Sequence, residues 1–148
     1  MSAELELGDF IAKFTPEMQN FIRSCRAKMQ NRFPDAVQLV YDNYNFLVIA
    51  FGPTSKASEA IFSLASYARG VNLCFGQRAS ELPDPTSILR GSGSQTHTVA
   101  LISANDLDRE DVSALICAAL NLASKPMAAS EGAELCIKSI SAKQCPRR

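Results

Sequence analysis

The sequence lacks an excess of charge of either sign, because its 15 Lys and Arg residues balance its 15 Asp and Glu residues. Phosphate binding depends on a basic excess, so this balance argues against nucleic acid as the main partner. No apolar run approaches the ~18 residues of a membrane span. The amino terminus, MSAELELGDF, is acidic and lacks the basic region that begins a signal peptide. We therefore expect a cytoplasmic protein that binds neither nucleic acid nor membrane.

The sequence also lacks the cysteine and histidine patterns of metal and redox sites. Its five cysteines are odd in number, widely scattered and without a CxxC pair, which indicates reduced thiols. His97 is the single histidine, so no second imidazole exists for a histidine-rich metal site. The glycines near positions 52 and 91 match no nucleotide-binding pattern. We expect neither a cofactor nor a bound metal.

What the chain does contain is the apolar content of an ordinary globular domain, at 47% hydrophobic and 20% charged residues. Its 148 residues fit one domain, and a chain of this size buries roughly two thirds of its unfolded surface. We therefore predict a single domain over residues 1–148, with a core at about 16–124. Residues 125–148 would supply a linker, an edge strand and a basic tail.

Four short apolar runs between Val37 and Phe75 are the clearest structural signal. They are rich in Val, Ile, Phe and Tyr and are separated by turn residues, a pattern typical of strands. Short turns between consecutive strands imply antiparallel pairing. We predict that the second strand is central, because its run from Phe46 to Phe51 contains no polar residue. Phe46, Val48 and Ile49 in this run are expected to lie in the core, with helices packed over the sheet. The predicted strands are about 36–42, 45–51, 60–67, 71–76, 96–102 and, at an edge, 134–140.

Helices are predicted both before and after these strands in the sequence. Apolar residues from Leu7 to Phe33 recur every three or four positions, which indicates amphipathic helices over about 7–14 and 16–31. Thr15 suits the start of the second, and Asp108 is predicted to cap a third at about 109–124. The fold class is therefore α+β: a five- to six-stranded, mainly antiparallel sheet packed with amino-terminal helices and a helix after strand five. The last eight residues are expected to be frayed.

Five short motifs, in this order, resemble the bacterial YdhG-like domains of unknown function. The likeness covers about residues 35–124, and the segment Ile137–Gln144 is similar to the tails of some members. The resemblance implies an α+β fold with an antiparallel sheet and helices but no settled activity. Some relatives are called frataxin-like intracellular iron chaperones. The five motifs are YDNYN at 41–45, FGPT at 51–54, VNL at 71–73, ELPDP at 81–85 and LRGSG at 89–93.

The chain departs from this family pattern at the start of the fifth strand. Members carry Gly-Lys-x-x-Arg-His there, whereas residues 93–98 of this chain read Gly-Ser-Gln-Thr-His-Thr. Ser94, His97 and Thr98 therefore stand at the lysine, arginine and histidine positions. If those cations bind an anion in the relatives, this chain should bind it poorly or not at all.

Three function classes remain open, and we favour a non-enzymatic binding module for a small molecule or a protein, with no catalytic residue. A cysteine-dependent enzyme would pair Cys74 with His97, if strands four and five are neighbours. An iron-binding chaperone would use the densest carboxylate group, since hard cations prefer oxygen ligands. A helix start explains the same carboxylates without a metal. They are Asp106, Asp108, Glu110 and Asp111.

A ligand site is predicted beside the long connection between strands four and five, because connections of that length are often functional. Arg78 and Gln95, near its two ends, offer donors and acceptors for a small polar or anionic group. We expect Arg78, Gln95 and His97 at the rim of this site. Tyr44 and Asn45, in the first hairpin, would complete its wall if they lie at the same end of the sheet.

Overall fold

The computed structural model describes residues 2–91, 96–130 and 132–148. Three α-helices in these ranges pack on one face of a six-stranded sheet. None of the described helices has the length and apolar character needed to cross a membrane. The helices are α1 (Ala3–Ile11), α2 (Pro16–Arg32) and α3 (Glu110–Leu122). The strands are β1 (Val37–Asp42), β2 (Leu47–Gly52), β3 (Phe62–Tyr67), β4 (Gly70–Phe75), β5 (His97–Leu101) and β6 (Glu134–Ile140).

The strand order in the sheet is β5-β4-β3-β2-β1-β6. Strands β1 to β5 form an antiparallel meander, whereas β6 returns after α3 and pairs in parallel with β1. This confirms the predicted fold class, the inner position of β2 and the edge position of β6. The parallel direction of β6 depends on the path of the chain through α3, which alternation along a strand does not reveal.

Side-chain caps set where the helices begin. The Thr15 hydroxyl accepts a hydrogen bond from the Met18 N–H, as expected for the start of α2. The first helix begins earlier than predicted, because the Ser2 hydroxyl caps it through the Leu5 N–H. Asp108 does not cap α3: it ends a short 3-10 helix, and its carboxylate pairs with the Lys28 ammonium at 2.5 Å.

The two faces of the sheet differ in what covers them. The main core lies between the helices and the face that carries Ile49, Leu64 and Leu73. A smaller cluster on the opposite face contains Val37, Leu39 and Ala50, with Val48 packed beside it. The prediction that Val48 lies in the main core was therefore wrong, because side chains alternate between the faces of a strand. Phe46, predicted there too, lies before β2, is half-buried and stacks on Tyr67 with ring centroids 5.0 Å apart.

The carboxyl-terminal tail is docked rather than frayed, in contrast to the expectation from sequence. The Arg147 side chain is only 1% exposed, and its Nη1 donates to the fully buried Asp42 carboxylate at 2.5 Å. The Lys13 ammonium reaches the same carboxylate at 2.7 Å. The Arg147 guanidinium also lies 5.4 Å from the centre of the Phe14 ring. Two cations thus neutralise and hold one buried carboxylate, which anchors the tail to β1.

The Asp42 cluster predicts how stability depends on pH. Burial by itself raises the pKa of Asp42, but hydrogen bonds from Lys13 and Arg147 bring that pKa below its ordinary value. The stabilisation is therefore present above the unfolded pKa of ~3.9 and is lost as pH falls through the lower folded pKa. We expect the free energy of unfolding, measured by urea titration, to fall between about pH 4 and pH 2.

The Asp42→Asn variant should be less stable near neutral pH and should lose less stability on acidification, since the titrating carboxyl is absent. Asp9→Asn, which removes an exposed carboxylate on α1, is the matched control and should keep the wild-type slope. A slope that is the same in Asp42→Asn and in the wild type would contradict the assigned role of Asp42.

Candidate functional site

The structure does not bring the five predicted site residues into one place. Arg78 follows β4, and His97 begins β5 opposite Phe75, so both belong to the end of the sheet where β4 stops. Tyr44 and Asn45 lie in the β1–β2 turn, at the end where β4 starts. A six-residue strand is ~20 Å long, so the condition for their completing the wall is not met.

Arg78 and His97 are both engaged by the protein itself. The exposed Arg78 guanidinium donates two hydrogen bonds to the Glu81 carboxylate of its own loop, from Nε to Oε2 at 2.5 Å and from Nη2 to Oε1 at 2.7 Å. This hydrogen-bonded charge pair raises the pKa of Arg78 and lowers the pKa of Glu81. His97 is half-buried on the helix-covered face and also interacts with other groups of the chain. Gln95 lies outside the described residues, so its part in the site stays a prediction.

The cysteine–histidine pair of a thiol enzyme is not formed. Strands β4 and β5 are neighbours as expected, but the register sets Cys74 opposite Thr98 and sets Phe75 opposite His97. Because side chains alternate, Cys74 and His97 point to opposite faces of the sheet. Burial also raises the pKa of Cys74 to about 11, which disfavours the thiolate near neutral pH. Cys74 therefore lacks both the partner and the ionisation of a nucleophile.

The carboxylates at positions 106–111 make capping hydrogen bonds and ion pairs within the protein. Asp106 accepts two backbone N–H groups within its own turn, at 2.7 and 3.3 Å. Asp108 pairs with Lys28, and Asp111 pairs with Arg109 at 2.6 Å. Across the described part of the chain, no three His, Cys, Asp or Glu side chains are grouped to hold a metal. These contacts support a structural role for three of the four carboxylates, namely turn capping and ion pairing.

An apolar groove, which sequence reasoning missed, lies where the end of α2 meets the segment after α3. Its volume is about 390 Å³, within the ~300–1,000 Å³ range of small-molecule sites. Arg32 and Asp35 are its charged residues and have opposite signs. The remaining lining is apolar: Phe33, Pro34, Ala36, Leu120, Pro126, Met127 and Ala128. A concave, mainly apolar wall with two polar groups is the usual composition of a ligand pocket.

Two prolines shape the groove. The Phe33 N–H still bonds the Met29 carbonyl at the end of α2, and Pro34 then turns the chain away from the helix. Helix α3 already ends at Leu122, and Pro126 stands directly before the 3-10 turn Met127–Ala129, which contributes to the other wall. The Ser130 hydroxyl donates to the Asp35 carbonyl at 2.5 Å and so ties the two walls together. The local signals for this site were the two prolines, which predict helix ends nearby but not the proximity of those ends.

The floor and the rim of the groove are held by identifiable contacts. The Phe33 ring stacks on the core residue Phe62, with centroids 5.4 Å apart. Arg32 donates through Nη1 to the Leu107 carbonyl at 3.2 Å. No ion pair between described residues involves Arg32 or Asp35. Arg32 therefore brings a positive charge to the rim, and among the described residues its guanidinium bonds only the neutral Leu107 carbonyl.

Comparison with known proteins adds no relative to these observations. No protein-family model, no curated protein and no solved structure matches this chain. The resemblance of its motifs to YdhG-like domains therefore stays a prediction.

Proposed function

We propose that this protein is a non-enzymatic binding module, whose ligand is a small molecule with an apolar body held in the groove between Phe33 and Met127. The observation that carries the proposal is the apolar lining of a preformed cavity of about 390 Å³. Moving apolar surface from water into such a site contributes about 25 cal/mol for each Å² buried. The proposal keeps the function class favoured from the sequence and adds a ligand class and a location.

The rim favours a ligand that carries an anionic group at one end. The Arg32 guanidinium has five N–H donors, of which one bonds the Leu107 carbonyl, so donors remain for an acceptor on the ligand. Asp35 carries the opposite charge, but its side chain can project to solvent because the residue is exposed. The apolar body would then supply most of the affinity, and Arg32 would supply the orientation.

The two other function classes receive no comparable support. Iron binding would need carboxylates whose oxygens are available to the metal, whereas Asp106, Asp108 and Asp111 already make capping hydrogen bonds and ion pairs. Thiol chemistry would need Cys74 and His97 on one face of the sheet, whereas their register sets them on opposite faces. No observation on the described residues supports iron binding or thiol chemistry as the apolar groove supports ligand binding.

Titration with 1-anilinonaphthalene-8-sulfonate tests the proposal, because this fluorescent probe joins apolar rings to an anionic group. We expect saturable binding of one probe per chain, with a dissociation constant on the order of 10–100 μM. Ala128→Trp fills the groove and should weaken binding at least ~10-fold. Ala114→Trp makes the same change on an exposed position of α3 outside the groove lining and should leave binding unchanged.

Two further measurements distinguish binding in the groove from binding to a partly unfolded chain. Arg32→Gln should weaken the anionic probe but not the neutral probe N-phenyl-1-naphthylamine, since only the first has a charge for Arg32 to bind. Near-ultraviolet circular dichroism of each variant checks that probe fluorescence does not come from partial unfolding. Equal affinities of the wild type and Ala128→Trp would exclude the groove as the binding site.

A further inference from the structure

The two edges of the sheet are not equally covered. Along β5, the Arg90 backbone bonds Thr98 in both directions, at 2.7 and 2.8 Å, so this outer edge is partly paired. Strand β6 ends the sheet on the other side, and within the described residues no strand pairs with its outer edge. Unpaired N–H and C=O groups along an edge strand form a template for a further strand.

Apolar side chains are exposed on β6 and on the helix that packs against it. Ile140, at the end of β6, is 56% exposed. Leu5 is 64% exposed on α1, the helix that packs against β6. An edge strand that has apolar side chains exposed on it and on the helix packed against it can associate with a further strand.

We propose that β6 is a self-association edge, at which two copies of this chain pair their β6 strands antiparallel about a two-fold axis at Cys136. The product is one continuous sheet of twelve strands, six from each copy. Both helix layers then lie on the same side of the joined sheet. Such an interface is isologous, because the same surface of each copy contacts the other.

The side chains of β6 select this register. With both helix layers on one side, each residue must pair with one that faces the same way, so the register shifts only in steps of two. Centring the pair on Cys136 sets Glu134 opposite the partner's Lys138 and sets Leu135 opposite the partner's Ile137. Opposite charges face each other twice, and apolar side chains face each other twice.

The neighbouring register loses this complementarity. Centring the pair on Ile137 sets Leu135 opposite the partner's Ser139 and sets Cys136 opposite the partner's Lys138. An apolar side chain then meets a polar one, and Lys138 loses its acidic partner. Register in a sheet is determined by such matches along both faces, so the Cys136-centred pairing is favoured.

A bulge and a lysine, both features that protect sheet edges, occur near the end of the proposed contact. The β1–β6 register shifts between Val40 and Tyr41, which leaves Lys138 without a partner on β1. The segment Glu134–Ile137 before it is regular, and the proposed axis lies within that segment. The Lys138 ammonium is held by the exposed Ser55 carbonyl at 3.1 Å, a contact that a carboxylate can replace.

The contact is small, so the dimer should be reversible. A seven-residue strand extends over ~23 Å, and one added strand buries less than the ~800 Å² per partner of a standard interface. Sedimentation velocity should show a monomer–dimer equilibrium with a dissociation constant on the order of 10–100 μM. A chain that stays monomeric up to about 500 μM would overturn the proposal.

Charge reversal tests the predicted pairing of Glu134 with Lys138. Glu134→Lys and Lys138→Glu each set like charges opposite each other, so each should raise the dissociation constant at least ~10-fold. The double variant restores opposite charges and should return to within ~3-fold of the wild type. Arg69→Glu, an exposed reversal in the β3–β4 turn, is the control and should have no effect. A dimer that tolerates both single reversals would contradict the interface.

Oxidative cross-linking tests the position of the axis. In an antiparallel pair centred on Cys136, the two Cα atoms lie about 4.5–5.5 Å apart, within the range that a disulfide spans. Diamide accepts two electrons and two protons from the two thiols, so a Cys136–Cys136 disulfide should form between copies. Cys136→Ser should abolish it, whereas Cys117→Ser, on the exposed face of α3, should not. Cross-linking through Cys117 alone would overturn the proposed register.

Discussion

Replacing Arg147 by alanine is expected to lower the free energy of unfolding by ~3–5 kcal/mol, because the substitution breaks a buried ion pair. The Asp42 and Arg147 side chains are 0% and 1% exposed. Water can therefore reach the Asp42 carboxylate in place of Arg147 only if the tail moves away from β1. Lys13 remains at 2.7 Å and limits the damage, which makes the lower part of the range the expected value. Urea unfolding followed by circular dichroism at neutral pH measures the loss.

The adjacent residue provides a matched control for this result. Arg148 is exposed and, within the part of the chain that the structure describes, its side chain donates only to the Ala12 carbonyl, so Arg148→Ala should cost less than ~0.5 kcal/mol. Combining Arg147→Ala with Asp42→Asn should cost much less than the sum of the two single changes, because both remove the same contact. Equal losses for Arg147→Ala and Arg148→Ala would show that the tail does not anchor the fold.

Replacing Leu115 by alanine is expected to cost ~2–5 kcal/mol. Leu115 is 2% exposed on the face of α3 that packs over the sheet, so the variant loses apolar contacts and leaves a cavity. Leu5→Ala is the control, since Leu5 is 64% exposed, and it should cost less than ~0.5 kcal/mol in the monomer. Urea unfolding of dilute samples measures both, and a loss below ~0.5 kcal/mol for Leu115→Ala would mean that α3 does not present this face to the core.

The core face of α3 was predictable because helix periodicity is a local property. Leu115 and Ile116 recur with Val112 and Ala119 at the spacing of one helical face, and all four are buried. The β2 strand shows the limit of the same reasoning. An unbroken apolar run identifies a strand, but it does not say which alternate side chains meet the helices, so Ile49 was placed correctly and Val48 was not.

The tail was mispredicted because its partner is distant in sequence. Arg147 follows a proline at a basic carboxyl terminus, a composition typical of frayed ends. Asp42 stands before Asn43 and reads as part of a turn. Their side chains meet across a separation of 105 positions, which no local pattern encodes.

The candidate site was predictable only in part, for the same reason. The connection after β4 was identified by its length, and Arg78 and His97 do lie at the same end of the sheet. The connections of an antiparallel meander alternate between the two ends of the sheet. The β1–β2 turn, which carries Tyr44, therefore lies at the end opposite the β4–β5 connection. The groove is built from two segments, 32–36 and 120–128, whose separate sequences show only helix ends.

The sequence by itself determined the order and type of the elements, because periodicity, caps and turn residues act within a few positions of one another. Only the tertiary structure decided that β6 runs parallel to β1, that Arg147 neutralises Asp42 and that Phe33 and Met127 line one groove. Each of these depends on the meeting of residues far apart in the chain. Those contacts are determined by how the helices pack together with the sheet, and the sequence of a single segment does not encode them.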